Sequence, residues 1–133
     1  MEGYRKYRVL FERLDVSIIA ASVDNLEDTK RLWNGDCFPY PGKELGFTLC
    51  HGVSKEISDR LGAYYGGDLN HRRRPNHIDY MQPTEFVIDG NSGEIIICSY
   101  SDGGLGRIDA GDVIGYLSGI EKRREEFPHV WSW

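Results

Sequence analysis

The sequence has little cysteine, no long apolar run and no internal repeat, and each shortage removes a class of protein. Its three cysteines, Cys37, Cys50 and Cys98, are odd in number and far apart, with no Cys-x-x-Cys pair of the kind that clamps zinc or cycles as a redox couple. Reduced thiols in a cytoplasmic protein are the simplest expectation. No segment reaches the ~20 consecutive apolar residues of a membrane span, and Met1-Glu2-Gly3-Tyr4-Arg5-Lys6 carries no apolar stretch of signal-peptide length. No low-complexity tract or linker divides the chain, so 133 residues read as a single domain able to bury roughly two-thirds of its unfolded surface.

What is present is ordinary for a globular chain: 40 % hydrophobic and 28 % charged residues, with a net charge of −5. A chain of that sign does not draw nucleic acid by long-range attraction, and it favours a cationic partner. Phe86-Val87-Ile88 and Ile95-Ile96-Ile97-Cys98 flank Asp89-Gly90-Asn91-Ser92-Gly93, a pattern that predicts a β-hairpin. Alternation of Tyr7, Val9 and Phe11, then Val16 and Ile18, across Arg13-Leu14-Asp15 predicts an earlier hairpin.

Asp24-Asn25-Leu26-Glu27 has capping-box spacing, so a helix carrying Leu26, Leu32 and Trp33 should follow and stop at Asn34-Gly35. Gly46 to His51 suits a short buried strand. Ser54 should cap a helix with Ile57 and Leu61 four apart on one side. Ile78 to Met81 suits another strand, and Asp109 should cap a helix whose Val113, Ile114, Leu117 and Ile120 form a core-facing stripe. Together these predict an α+β domain, a mostly antiparallel sheet with about three short helices packed on it.

Several clusters bear on chemistry. Cys37 lies in a loop with two prolines and two glycines, Gly35 to Gly42, and with His71 or His77 as base it would serve a small cysteine hydrolase. Gly35-Asp36-Cys37-Phe38 is similar to the Asp-Gly-x-Cys start of ovarian-tumour-type cysteine proteases, although the first two residues are reversed and a loop stands where that family begins a helix. His71, His77 and Asp79 are possible metal ligands by type, but the intervening Arg72-Arg73-Arg74 would repel a cation, so no metal and no cofactor is expected. Those arginines, with Tyr64, Tyr65 and Tyr80 nearby, would suit a nucleic-acid module, an alternative that the net charge opposes. Gly103-Gly104-Leu105-Gly106 precedes Asp109 and Asp112 without Gly-Lys-Ser/Thr, which favours a turn over a phosphate loop. Asp89 to Glu94 misses calcium-loop spacing.

The last thirty residues carry a family resemblance. A core helix with Val113 and Leu117 begins at Ile108-Asp109, and Pro128 is followed five residues on by Trp133, with Trp131 and Phe127 between and before them. This resembles the C-terminal third of bacterial polymorphic-toxin immunity proteins, many of which end Pro-x-x-Val-x-Trp. The resemblance implies a small α+β protein that blocks a secreted toxin domain and has no catalysis of its own. On that expectation the chain is a non-enzymatic inhibitor that meets a basic protein surface. Aromatic anchors Phe38, Tyr40, Tyr64 and Tyr65 would hold the partner, and Asp68 and Asp102 would steer it.

Overall fold

The computed structural model describes residues 1–36, 42, 44–66, 79–102 and 106–128, and these fall into two compact units. The first joins Met1–Ile18 to Ile108–Trp133; the second is Ile19–Arg107.

In the first unit the expected opening hairpin is replaced by two short helices, α1 (Glu2–Lys6) and α2 (Arg8–Arg13). The alternation of Tyr7, Val9 and Phe11 competes with a helical spacing of Tyr4, Tyr7 and Phe11, and the helical spacing wins. It brings Tyr4 and Phe11 into a stack with ring centroids 5.6 Å apart and buries Phe11 almost completely, while Val9 points to solvent. The turn signal at Arg13-Leu14-Asp15 is real but closes a helix. Asp15 takes φ 54°, and Val16 N–H donates to Phe11 O at 2.9 Å, a carbonyl that also accepts from Leu14 N–H at 3.1 Å. The 17-residue α5 (Ala110–Glu126) completes the unit. Asp109 Oδ1 accepts from Gly111 N–H at 2.8 Å, and Ala110, Val113, Leu117 and Ile120 are buried, as the stripe predicted. A β-carbon on Gly3 would lie 3.3 Å from that of Ala110, so glycine is what lets α1 sit this close to α5.

The second unit contains both sheets found among the described residues. β1 (Ile19–Ala21) pairs in parallel with β2 (Thr48–Cys50), in register Ile19 with Thr48 and Ala21 with Cys50, and α3 (Leu26–Asn34) makes the crossover. Asn25, one residue past the expected cap, accepts from Asp28 N–H at 2.9 Å, and Gly35 at φ 74° stops the helix where predicted. Trp33 Nε1 donates to Phe47 O at 3.0 Å, and Leu45 is fully buried. β2 is shorter than expected, and its ends are exposed.

α4 (Lys55–Arg60) is capped by Ser54 as predicted, but Ile57 and Leu61 are 45 % and 42 % exposed. The inward residue is Ser58, whose hydroxyl donates to Ala63 O at 3.2 Å while Gly62 reverses the chain at φ 68°. The strand expected near Met81 is reduced to one antiparallel bridge between Tyr65 and Met81, clamped by Gln82 N–H to Tyr64 O at 2.8 Å; Ile78 is outside the described residues. Gln82 is fully buried, and its Nε2 donates to Gly66 O.

The later hairpin forms as read. β3 (Thr84–Ile88) and β4 (Ile95–Tyr100) are antiparallel, with a bulge at Val87/Ile88, and Asp89 Oδ1 accepts from Asn91 and Ser92 N–H in the turn. Helices and strands are thus both present, but one of the two sheets among the described residues is parallel. A mostly antiparallel sheet does not form among the described residues, because a helix rather than a tight turn joins β1 to β2.

Candidate functional sites

Two places in the second unit gather reactive or recognisable side chains. The first is the carboxyl end of the parallel pair, where ligands and active groups collect in α/β sheets because the following loops open there. β2 ends on Cys50, an exposed thiol, and His51 follows it, also exposed. Beside it the end of β1 is tied down: Ser22 N–H donates to Cys50 O at 3.0 Å, Ser22 Oγ to Asp24 Oδ2 at 2.6 Å, and Gly52 N–H to Asp24 O at 2.8 Å. The backbone around Cys50 is therefore held against the end of β1, while Cys50 itself is exposed. Cys98, the other described thiol, is exposed within β4.

The second place is a concavity of about 530 Å³ lined by Gly62, Tyr64, Tyr100, Ser101, Asp102 and Gly106. It joins the turn after α4 to the end of β4. Tyr100 Oη donates to Leu61 O at 3.2 Å, and its ring meets Phe86 edge to face at 5.7 Å, so its orientation is set by two partners. Tyr64 folds its ring over Gly66, where a β-carbon would lie 3.2 Å away. Ser101 N–H donates to Pro83 O at 3.0 Å, which fixes the backbone just before Asp102.

Of the residues singled out in the sequence, Tyr64 and Asp102 come together here. Tyr65 is half-buried in its bridge to Met81. Cys37, Phe38, Tyr40, Asp68, His71, His77 and the arginines 72–74 lie outside the described residues. Two residues were missed. Tyr100 was read only as a strand residue, and Cys50 only as one of three thiols; its signal was a place between an apolar run and the Ser54 cap. Among the described residues no three His, Cys, Asp or Glu side chains are grouped to hold a metal, and no helix is long and apolar enough to cross a membrane.

Comparison with known proteins finds a likeness of fold. The chain shares its fold with a solved structure that it matches with a TM-score of 0.66 over 87 % of its length. That structure is a Cys-to-Ser mutant of the peroxiredoxin 6 of Arenicola marina, 17 % identical to this chain, and the chain spans 50 % of its length. At this identity the likeness is one of fold. No family model and no curated protein sequence matches the chain.

Proposed function

We propose that the chain acts by thiol chemistry on a peroxide, with Cys50 as the reacting sulfur. The observation that carries this is the fold shared with a peroxiredoxin over most of the chain. The position of Cys50, exposed at the carboxyl end of a parallel strand with His51 next in sequence, adds to it. In such a step the thiolate attacks one peroxide oxygen; an S–O bond forms as the O–O bond breaks, and the departing hydroxide or alkoxide takes a proton. The sulfenic acid returns to the thiol through two equivalents of a small thiol, which leave as a disulfide with one water. Treatment with one equivalent of hydrogen peroxide in the presence of dimedone tests it. The adduct is expected on Cys50 and is lost in Cys50→Ser; an adduct on Cys37 alone moves the chemistry to that residue, and no adduct on any cysteine rejects the reading.

A second reading is favoured by the meeting of Tyr64 and Asp102 in one concavity with Tyr100. On it the chain is a non-enzymatic binding protein of the immunity-protein or inhibitor kind, which occludes a basic protein partner through an aromatic and acidic surface. Affinity should then fall steeply with salt, and a dissociation constant unchanged between low and high ionic strength contradicts it.

A further inference from the structure

We infer that the outer edges of β1 and β3 take up one extended, uncharged strand supplied by a different polypeptide, which joins the two sheets. Each sheet of the unit Ile19–Arg107 is only two strands wide among the described residues, β1 with β2 and β3 with β4. Ribbons of that width are marginal by themselves, and an open strand edge is a template for another strand.

The hydrogen bonds identify the groups left over. Ser22 N–H donates to Cys50 O and Ser22 O accepts from Val53 N–H, both at 3.0 Å, so the backbone of Ser22 faces β2. Backbone groups alternate sides along a strand, so Ala20 faces β2 as well, and Ile19 and Ala21 turn their N–H and C=O outward. In the hairpin, Ser101 N–H donates to Pro83 O at 3.0 Å; Glu85 with Ser99 is then the next bonded pair, and Thr84 and Phe86 turn outward. The backbones of Ile19, Ala21, Thr84 and Phe86 make no hydrogen bond among the described residues.

These edges specify their guest. Donors and acceptors alternating at strand spacing are matched by extended backbone. Val16 to Val23 carry no charge, and Thr84 and Phe86 are neutral and half-buried, so a charge on the guest would lose water there without gaining a partner. β1 has none of the lysines, prolines or bulges that blunt an edge. A strand with both edges free serves β1 and β3 together and gives a sheet of about five strands, an ordinary width. A second copy is the poorer donor, because each strand described in it already uses one edge and its net charge of −5 opposes association. The solved structure that shares this fold has as much chain again outside the matched half, so the fold admits further elements.

The test is amide hydrogen exchange of the whole chain, read by NMR, with a capped synthetic peptide Thr-Val-Ile-Val-Thr flanked by one lysine on each side. A control peptide carries proline in place of both valines. Exchange at Ile19, Ala21, Thr84 and Phe86 is expected to slow at least about tenfold with the first peptide and not with the control, while Ala20 and Glu85, already bonded in their ladders, change little. Ala21→Pro removes an N–H that bonds nothing in the chain and should abolish the protection at both edges. Protection without this alternation, protection at one edge only, no protection, or an equal effect of the control overturns the inference. Protection of the same amides on concentrating the chain alone overturns the choice of partner and gives the strand to a second copy. None of these outcomes depends on the peroxide or salt tests above.

Discussion

In the unit made of Met1–Ile18 and Ile108–Trp133, the side chains buried among the described residues are Phe11, Ala110, Val113, Leu117 and Ile120, all apolar. In Ile19–Arg107 three polar residues, Thr29, Ser58 and Gln82, are buried beside Leu45, Val53 and Ala63. An apolar stripe needs only the right period, because burying hydrocarbon has no direction. A buried amide or hydroxyl needs a particular partner at a particular distance. Gln82 shows the cost of that demand: Nε2 reaches Gly66 O, but Oε1 is buried without a hydrogen bond. The same contrast appears at helix ends. α2 reverses through Asp15 at φ 54°, whereas α3 and α4 use Gly35 and Gly62.

The largest expected effect tests the apolar side of this contrast. Phe11→Ala should destabilise the protein by about 3–5 kcal/mol, measured by urea unfolding, since it empties a fully buried site and removes the Tyr4 stack. On the polar side, Gln82→Ala should cost about 2–3 kcal/mol by leaving Gly66 O unpaired as well as a gap, and Gln82→Met, which keeps the volume, should cost clearly less. Equal losses in the two Gln82 variants would mean that the hydrogen bond, and not packing, is what counts. Smaller effects of opposite sign are expected at the helix ends. Gly62→Ala should lose about 1–2 kcal/mol, and Asp15→Gly should gain up to about 1 kcal/mol by relieving the left-handed backbone, both read from thermal unfolding. Least of all, Lys55→Ala should change stability by no more than about 0.5 kcal/mol, because Lys55 and Asp59 are mostly exposed.

Much of the fold is legible in the sequence wherever one local signal has no rival. Asp109 followed by Val113, Leu117 and Ile120 predicts α5, and Asp89 to Gly93 predicts the later turn, because capping and turn geometry depend on residues a few positions apart. The opening segment misleads because Tyr7, Val9 and Phe11 fit period two as well as Tyr4, Tyr7 and Phe11 fit a helix. α4 misleads in another way: its Ile57 and Leu61 are spaced as a core face, yet Ser58 holds that place through a hydrogen bond that no periodicity reveals. The sites are less legible still. Tyr64 and Asp102 are 38 positions apart (102 minus 64) and meet only because the Tyr65–Met81 bridge and the β3–β4 hairpin bring them to one wall. Cys50 acquires meaning only once β2 is known to run parallel to β1, and strand direction is not written in a three-residue run.

The most direct measurement is the rate at which the intact chain consumes hydrogen peroxide, followed by stopped-flow Trp or Tyr fluorescence against free cysteine at the same pH. A thiol that reacts as proposed gives a second-order constant well above that of free cysteine, and the excess disappears in Cys50→Ser. A rate no greater than that of free cysteine, or an excess that survives Cys50→Ser unchanged, contradicts the assignment.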